Sequence, residues 1–220
     1  PGIILCRNFF KELAKRAPLI VITGNHDMNE RNLSELDSLT PATDNIDMFY
    51  LKFTGLYQFG NILFSVSSLY DCKFISYDMI PSDLLNEKKC IAIYHGTING
   101  CTNSDGFVLS DNNGSSRYRS ASEFDGYDAV ILGDIHHYQT LGKNKNIVYS
   151  GSLVQQNFGE DVNNHGFVLW DLSDMTTKLF SIANPWARVS LQVSQGKWTN
   201  PDVFIPEKPY IRLELDRCHE

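Results

Sequence analysis

The chain has 220 residues, 42% of them hydrophobic and 20% charged, which is enough apolar mass for one sizeable core and excludes a disordered tail. Its 15 glycines and 8 prolines are scattered, which excludes a collagen-like or low-complexity repeat. A net charge of -7 excludes a protein that wraps nucleic acid by charge alone, but leaves open chemistry on phosphate esters in which bound cations supply the positive charge.

In chain order, residues 3–17 have helical spacing, with Leu5, Phe9, Phe10 and Leu13 on one side, and Pro18 stops the helix. Residues 19–23 are a continuous β-branched run, read as a buried strand, which ends at Gly24-Asn25-His26-Asp27. Residues 56–59 and 62–66 read as a hairpin around Gly60-Asn61. Residues 90–94 form a short apolar strand followed at once by His95-Gly96. Residues 99–122 are polar and read as a long loop. Residues 127–132 are a third buried strand, which runs into Gly133-Asp134-Ile135-His136-His137. Strand-like segments follow at 147–149, 167–172, 178–182, 189–193 and 211–215, and prolines around 185 and 201–209 mark a boundary near residue 184.

No apolar run approaches the ~18 residues of a membrane span, and no basic stretch followed by an apolar one marks a secretory signal. Five cysteines without a C-x-x-C pair argue against a disulfide framework or a zinc knuckle. The expected setting is a reducing compartment, cytoplasmic or nucleoid-associated. The chain starts at Pro1 and ends in a strand-like run, so a fragment of a longer protein is expected.

One pattern recurs three times: a buried strand runs out into a loop that opens with Gly, Asn, Asp or His. Ligand sites in α/β sheets gather beyond the C-terminal ends of strands. Imidazole, carboxylate and amide oxygen together suit Mn, Fe, Co or Zn ions. Taken singly, each piece has a plainer reading: Asn-His-Asp is also a polar turn, and His95 alone is also a structural strand-end histidine. His136 and His137 point opposite ways on an extended chain, so one at most faces a given ion, and Asp134 shares a side with His136.

These residues, in this order, resemble the last three motifs of the calcineurin-like metallophosphoesterases. The likeness is narrower to the SbcD-type double-strand-break repair nucleases. It rests on Gly133-Asp134-Ile135-His136 with Gln139, on Tyr149-Ser150-Gly151-Ser152-Leu153, on Gln155-Gln156-Asn157-Phe158-Gly159-Glu160 and on Gly166-Phe167-Val168-Leu169. The resemblance implies an α/β fold, a sandwich of mixed β-sheets flanked by helices. The nuclease domain would span residues 1–183, and a small capping domain that contacts DNA would begin over 184–220. It implies two divalent metal ions, Mn²⁺ with Mg²⁺ as the other candidate, and 3′-to-5′ exonuclease and single-strand endonuclease activity. It also implies a homodimer, an SbcC-type ATPase partner and no membrane.

Carried onto this chain, the resemblance makes Asn25 and His95 ligands of the second ion and His136 a ligand of the first. His26 would face the scissile phosphate and assist the leaving oxygen, with Asp27 orienting it. Asp134 stands where the family usually has His; a carboxylate still suits Mn²⁺ or Mg²⁺. The family's first two motifs, which supply the bridging carboxylate, have no counterpart in the 24 residues before Asn25, and are expected upstream of Pro1. The Gly-Asp-Ile-His variant looks more like phage or large-virus members.

Arg117-Tyr118-Arg119 is a candidate DNA contact, with Tyr118 stacking on a base, or else a solvated charge pair. Gln155, Gln156 and Asn157 are expected to satisfy backbone, His165 to sit in a turn, and Trp170, Trp186 and Trp198 to pack in a core or interface. Two other functions compete with the nuclease: a phosphatase acting on a phosphomonoester, and a non-catalytic DNA-repair scaffold with a degraded metal site.

Overall fold

A computed structural model describes residues 2–28, 37–111 and 118–216. The β-branched and apolar runs form strands because their side chains pack on a pleated surface. In chain order the elements are α1 (Gly2–Ala14), β1 (Ile20–Ile22), α2 (Thr40–Thr43), β2 (Phe49–Leu51), β3 (Gly55–Phe59), β4 (Ile62–Ser67), α3 (Ser82–Leu85), β5 (Lys89–His95), β6 (Thr97–Ile98), β7 (Tyr118–Arg119), β8 (Ala129–Gly133), β9 (Gln139–Leu141), β10 (Ile147–Tyr149), β11 (Gly166–Asp171), β12 (Thr176–Ser181), β13 (Arg188–Ser194), β14 (Lys197–Trp198) and β15 (Tyr210–Leu215).

The centre is a six-stranded mixed sheet in the order β3-β4-β5-β8-β10-β9. Its inner strands β4, β5, β8 and β10 run parallel, and the antiparallel partners β3 and β9 close the two edges. Parallel strands covered on both faces read as near-continuous apolar runs. Accordingly Ile91, Ala92, Val130, Leu132, Val148 and Tyr149 are buried, with Phe124, Tyr127 and Ile98 packed around them. The hairpin at Gly60-Asn61 forms, with Gly60 at φ +60, where glycine carries no Cβ penalty.

Strand β1 pairs in parallel with β2 in a separate two-stranded sheet. The described residues thus give a mixed α/β chain with one large sheet. Flanking helices are few: α1 has 13 residues, while α2 and α3 have 4 each. The spacing of α1 is helical, yet it buries no residue, and Ile4 and Leu5 are 66% and 72% exposed. Periodicity dictates which side of a helix is apolar, not what covers it.

Strands β11 and β12 form an antiparallel hairpin. Beyond it, β13 pairs with β14 and, in parallel, with β15. Gln155 ties this three-stranded sheet back to the preceding loop: its side chain accepts from the Arg188 N–H at 2.6 Å and donates to the Arg188 carbonyl at 2.9 Å. The tryptophans expected in a core or interface divide: Trp170 is half-buried, whereas Trp186 and Trp198 are exposed. Both lie in the small C-terminal sheet region, which has too little apolar depth to enclose an indole. The polar stretch after residue 99 is not all loop, since β6 and β7 pair across it in parallel. No helix of the described residues is long and apolar enough to cross a membrane.

Candidate functional site

Strands β5 and β8 are neighbours in register, with His95 opposite Gly133. His95 therefore stands at the C-terminal end of one parallel strand and Asp134 just beyond the end of the next. Two residues past β1, the chain turns into a short 3₁₀ segment, Asn25–Asp27. These three tips converge. The Nε2 of His95 lies 3.1 Å from Asn25 Oδ1 and 3.5 Å from Asp134 Oδ1. Asn25, His95 and Asp134 share a cavity of about 520 Å³, whose other walls include Ser68, Cys72, Lys73, Tyr94, Tyr118 and Arg119.

Two glycines make room for the imidazole. A Cβ on Gly24 would sit 2.9 Å from His95 Cε1, and one on Gly133 would sit 2.9 Å from His95 Nδ1. Asp134 is placed at a cost: its φ is +101, in the region where a side chain crowds the backbone. The Thr97 hydroxyl donates to Asp134 Oδ2 at 3.1 Å. The hydrogen bond with His95, reinforced by the Thr97 hydroxyl, holds the Asp134 carboxyl below its ordinary range despite desolvation.

The loop after His95 is pinned from below. Tyr149, fully buried, donates to the Gly96 carbonyl at 2.6 Å and accepts from the Ile98 N–H at 2.9 Å. Burial pushes its phenol pKa upward, so the hydroxyl keeps its proton. A second buried network supports the Asn25 turn. The Thr23 hydroxyl bonds Tyr50 at 3.0 Å, Tyr50 bonds Asp37, and Asp37 pairs with Lys52 at 2.8 Å. Burial by itself would raise the Asp37 carboxyl, but the donors Lys52, Thr40 and Tyr50 pull it down to about 2.

The donor set fits one hard-to-borderline cation. Neighbouring ligands about a first-row ion lie roughly 3–3.5 Å apart when each bond is ~2.1 Å, and the separations around His95 Nε2 fall at that spacing. Oxygen, nitrogen and oxygen donors match Mn²⁺ or Zn²⁺. Among the described residues no third His, Cys, Asp or Glu joins His95 and Asp134 in a metal-holding group.

The remaining candidates stand apart. His26 is exposed and does not line the cavity. No hydrogen bond joins its ring to Asp27 among the described residues. The Asp27 carboxylate instead accepts from the Gly24 N–H at 2.9 Å and the Ser38 hydroxyl at 3.4 Å, closing the turn that presents Asn25. The expectation that Asp27 orients His26 is therefore not met, because residues this close in a tight turn satisfy backbone first. His136 faces a different, small cleft with His137, Glu160 and His165. Asp134 and His136, expected on one side, line different cavities, because the chain past Gly133 bends at Asp134 with a φ of +101 and runs on as a loop. Tyr118 and Arg119 line the main cavity, while Arg117 lies outside the described residues.

Arg119 is partly committed, with its guanidinium 3.1 Å from Glu123 and 4.4 Å above the Phe74 ring. Gln155 and Asn157 satisfy local groups, and buried His165 bonds Ser152 and the Asp161 carbonyl. Sequence reading passed over Thr97, Tyr149 and Lys73 as parts of this site. Thr97 has a signal, lying two residues after a strand-end His; Lys73 reaches the cavity wall and the Tyr149 hydroxyl reaches the loop after His95 only through the fold, and neither leaves one.

Against known proteins, no family model matches the chain. Over its whole length it is 36% identical to "Uncharacterized protein R555" of Acanthamoeba polyphaga mimivirus, of which it spans 16%. Over 76% of its length it is 26% identical to "Putative phosphoesterase 244L" of Invertebrate iridescent virus 6, of which it spans 56%. The chain thus covers less than two thirds of either relative, and both are viral proteins.

Proposed function

We propose that this chain carries part of a metal-dependent phosphodiesterase that cleaves DNA at ends during repair or recombination. One observation carries the reading: three donor atoms on three separate strand tips, Asn25 Oδ1, His95 Nε2 and Asp134 Oδ1, meet in one cavity. Asn25, His95 and Asp134 would hold a divalent cation, Mn²⁺ first and Mg²⁺ second. When bound, such an ion polarises a phosphoryl oxygen and lowers the pKa of a bound water. His136 is the candidate ligand of a second ion.

The chain's own residues supply the rest. Lys73 and Arg119, on the cavity wall, offset the charge of a phosphate in an otherwise acidic protein. Tyr118 beside them offers a ring on which a base can stack. His26, exposed and outside the cavity lining, would serve as proton donor to a leaving sugar oxygen only for a substrate that extends beyond the cavity to reach it. A homodimer and an SbcC-type ATPase subunit belong to the same proposal.

The test is hydrolysis of a 3′-ended duplex and of a simple phosphomonoester, side by side with Mn²⁺, by this chain and by its longer parent. Faster cleavage of the diester in the parent supports the nuclease; faster cleavage of the monoester makes it a phosphatase. The scaffold reading draws on the absence of a third His, Cys, Asp or Glu beside His95 and Asp134 among the described residues. Calorimetry showing no Mn²⁺ uptake by the parent would favour it.

A further inference from the structure

We infer that Glu160 is a positioning residue that locks His136 into the tautomer protonated on Nδ1, so that its Nε2 lone pair faces outward as a ligand for a divalent cation. The Glu160 side chain is 1% exposed and that of His136 is 44% exposed, and Glu160 Oε1 lies 2.9 Å from His136 Nδ1. Burying a carboxylate is costly unless donors surround it. Here the Asn157 amide donates to Oε1 at 2.7 Å and the Gln156 N–H donates to Oε2 at 2.7 Å. The two donors fix the rotation of the carboxylate, and Oε1 is the oxygen left pointing at the ring.

The neighbouring imidazole does not compete. His165 Nε2 is 4.0 Å from Oε2 and lies 2.7 Å from the Asp161 carbonyl, while its Nδ1 bonds the Ser152 hydroxyl at 2.8 Å. A carboxylate accepts and does not donate, so the proton of a neutral His136 sits on Nδ1. A carboxylate behind an imidazole is also the arrangement that orients metal-ligating histidines and raises their basicity. The same carboxylate also closes its local turn through the Gln156 N–H and the Asn157 amide. The turn itself is already held by Gln155, whose amide donates to the Glu160 carbonyl at 2.8 Å.

The role in cation binding rests on the function proposed above, whereas the tautomer does not. The deciding measurement is therefore made on metal-free chain labelled with ¹⁵N-histidine, by long-range ¹H–¹⁵N correlation. His136 should show a protonated-type Nδ1, an unprotonated-type Nε2, and an Hδ1 resonance protected from water exchange. Glu160→Ala should lose this pattern, with Mn²⁺ binding weakened about 10–100-fold. A wild-type His136 protonated on Nε2, or averaging between tautomers, overturns the inference, as does an unchanged pattern in Glu160→Ala. If Glu160→Ala does not fold, the wild-type Hδ1 resonance decides, because an exposed imidazole N–H without a fixed acceptor exchanges too fast to be seen. Wild-type chain with the tautomer intact but no Mn²⁺ uptake would remove the metal reading and leave the tautomer standing.

Discussion

Gly133→Ala probes the placement of His95 most directly. The added methyl would lie 2.9 Å from His95 Nδ1 and 3.7 Å from both Cγ and Cε1. Ordinary contact begins near ~3.5 Å, so the ring must retreat by about 0.5 Å. That ring is not free to swing, because its Nε2 is engaged by Asn25 and Asp134. Overpacking of this kind costs roughly 1–3 kcal/mol. The lower entropy of alanine in the unfolded chain returns about 0.4–1 kcal/mol of it. For a chain of this size the net loss lowers Tm by several degrees, at about 2–4 °C per kcal/mol. A shift of ~0.5 Å is also the tolerance of a preorganised site, so Mn²⁺ affinity should fall about tenfold or more. Thermal denaturation and calorimetry measure both quantities. The control is Gly2→Ala, where a Cβ meets nothing within 4 Å. Gly133→Ala with wild-type Tm and wild-type Mn²⁺ affinity would refute the cradle.

Three further outcomes are expected. Asp134→Gly relieves the positive-φ strain of about 1–3 kcal/mol that Asp134→Ala retains; in urea titrations the glycine variant should be the more stable of the two, while both lose Mn²⁺ affinity. Lys52→Met leaves the Asp37 carboxylate buried without its cation, and should cost about 3–5 kcal/mol. Because the folded Asp37 pKa of about 2 is below its ordinary 3.8, its contribution is complete above about pH 4 and is lost as pH falls toward about 2. Urea melts across that window should therefore show a steeper loss for wild type than for Lys52→Met. Tyr149→Phe strands the buried Gly96 carbonyl and Ile98 N–H at about 1–3 kcal/mol each, and an undiminished urea midpoint would mean that the loop after His95 is held by something else.

Much of the scaffold was legible from local chemistry. Residues 90–94 and 127–132 announce themselves as buried strands because a continuous β-branched or apolar run has no other way to leave water, and β5 and β8 stand over nearly those residues. The abrupt change to Gly, Asn, Asp and His at their ends also marks where chemistry can sit, since a loop beyond a parallel strand is exposed and backbone-rich. Asn25, His95 and Asp134 all stand in those tips and line one cavity, while His136, which the resemblance names with them, does not.

Tertiary structure decided the rest, because sequence specifies what a segment prefers and not what it meets. Asp134 and His136 share a side on paper, but the chain bends at Asp134 with a φ of +101, and His136 lines another cleft. Trp186, Trp198 and the apolar side of α1 carry a burial signal that no neighbour among the described residues completes. Tyr149 reads only as the end of a short strand, and the packing of the folded sheet turns its hydroxyl into the clamp on Gly96 and Ile98. Hydrogen bonds across 37 to 70 residues, such as Thr97 to Asp134 and Asn25 to His95, exist only after the sheet has closed the distance. The physical reason is that propensity and periodicity act over a few residues, while a site is a coincidence in space imposed by packing.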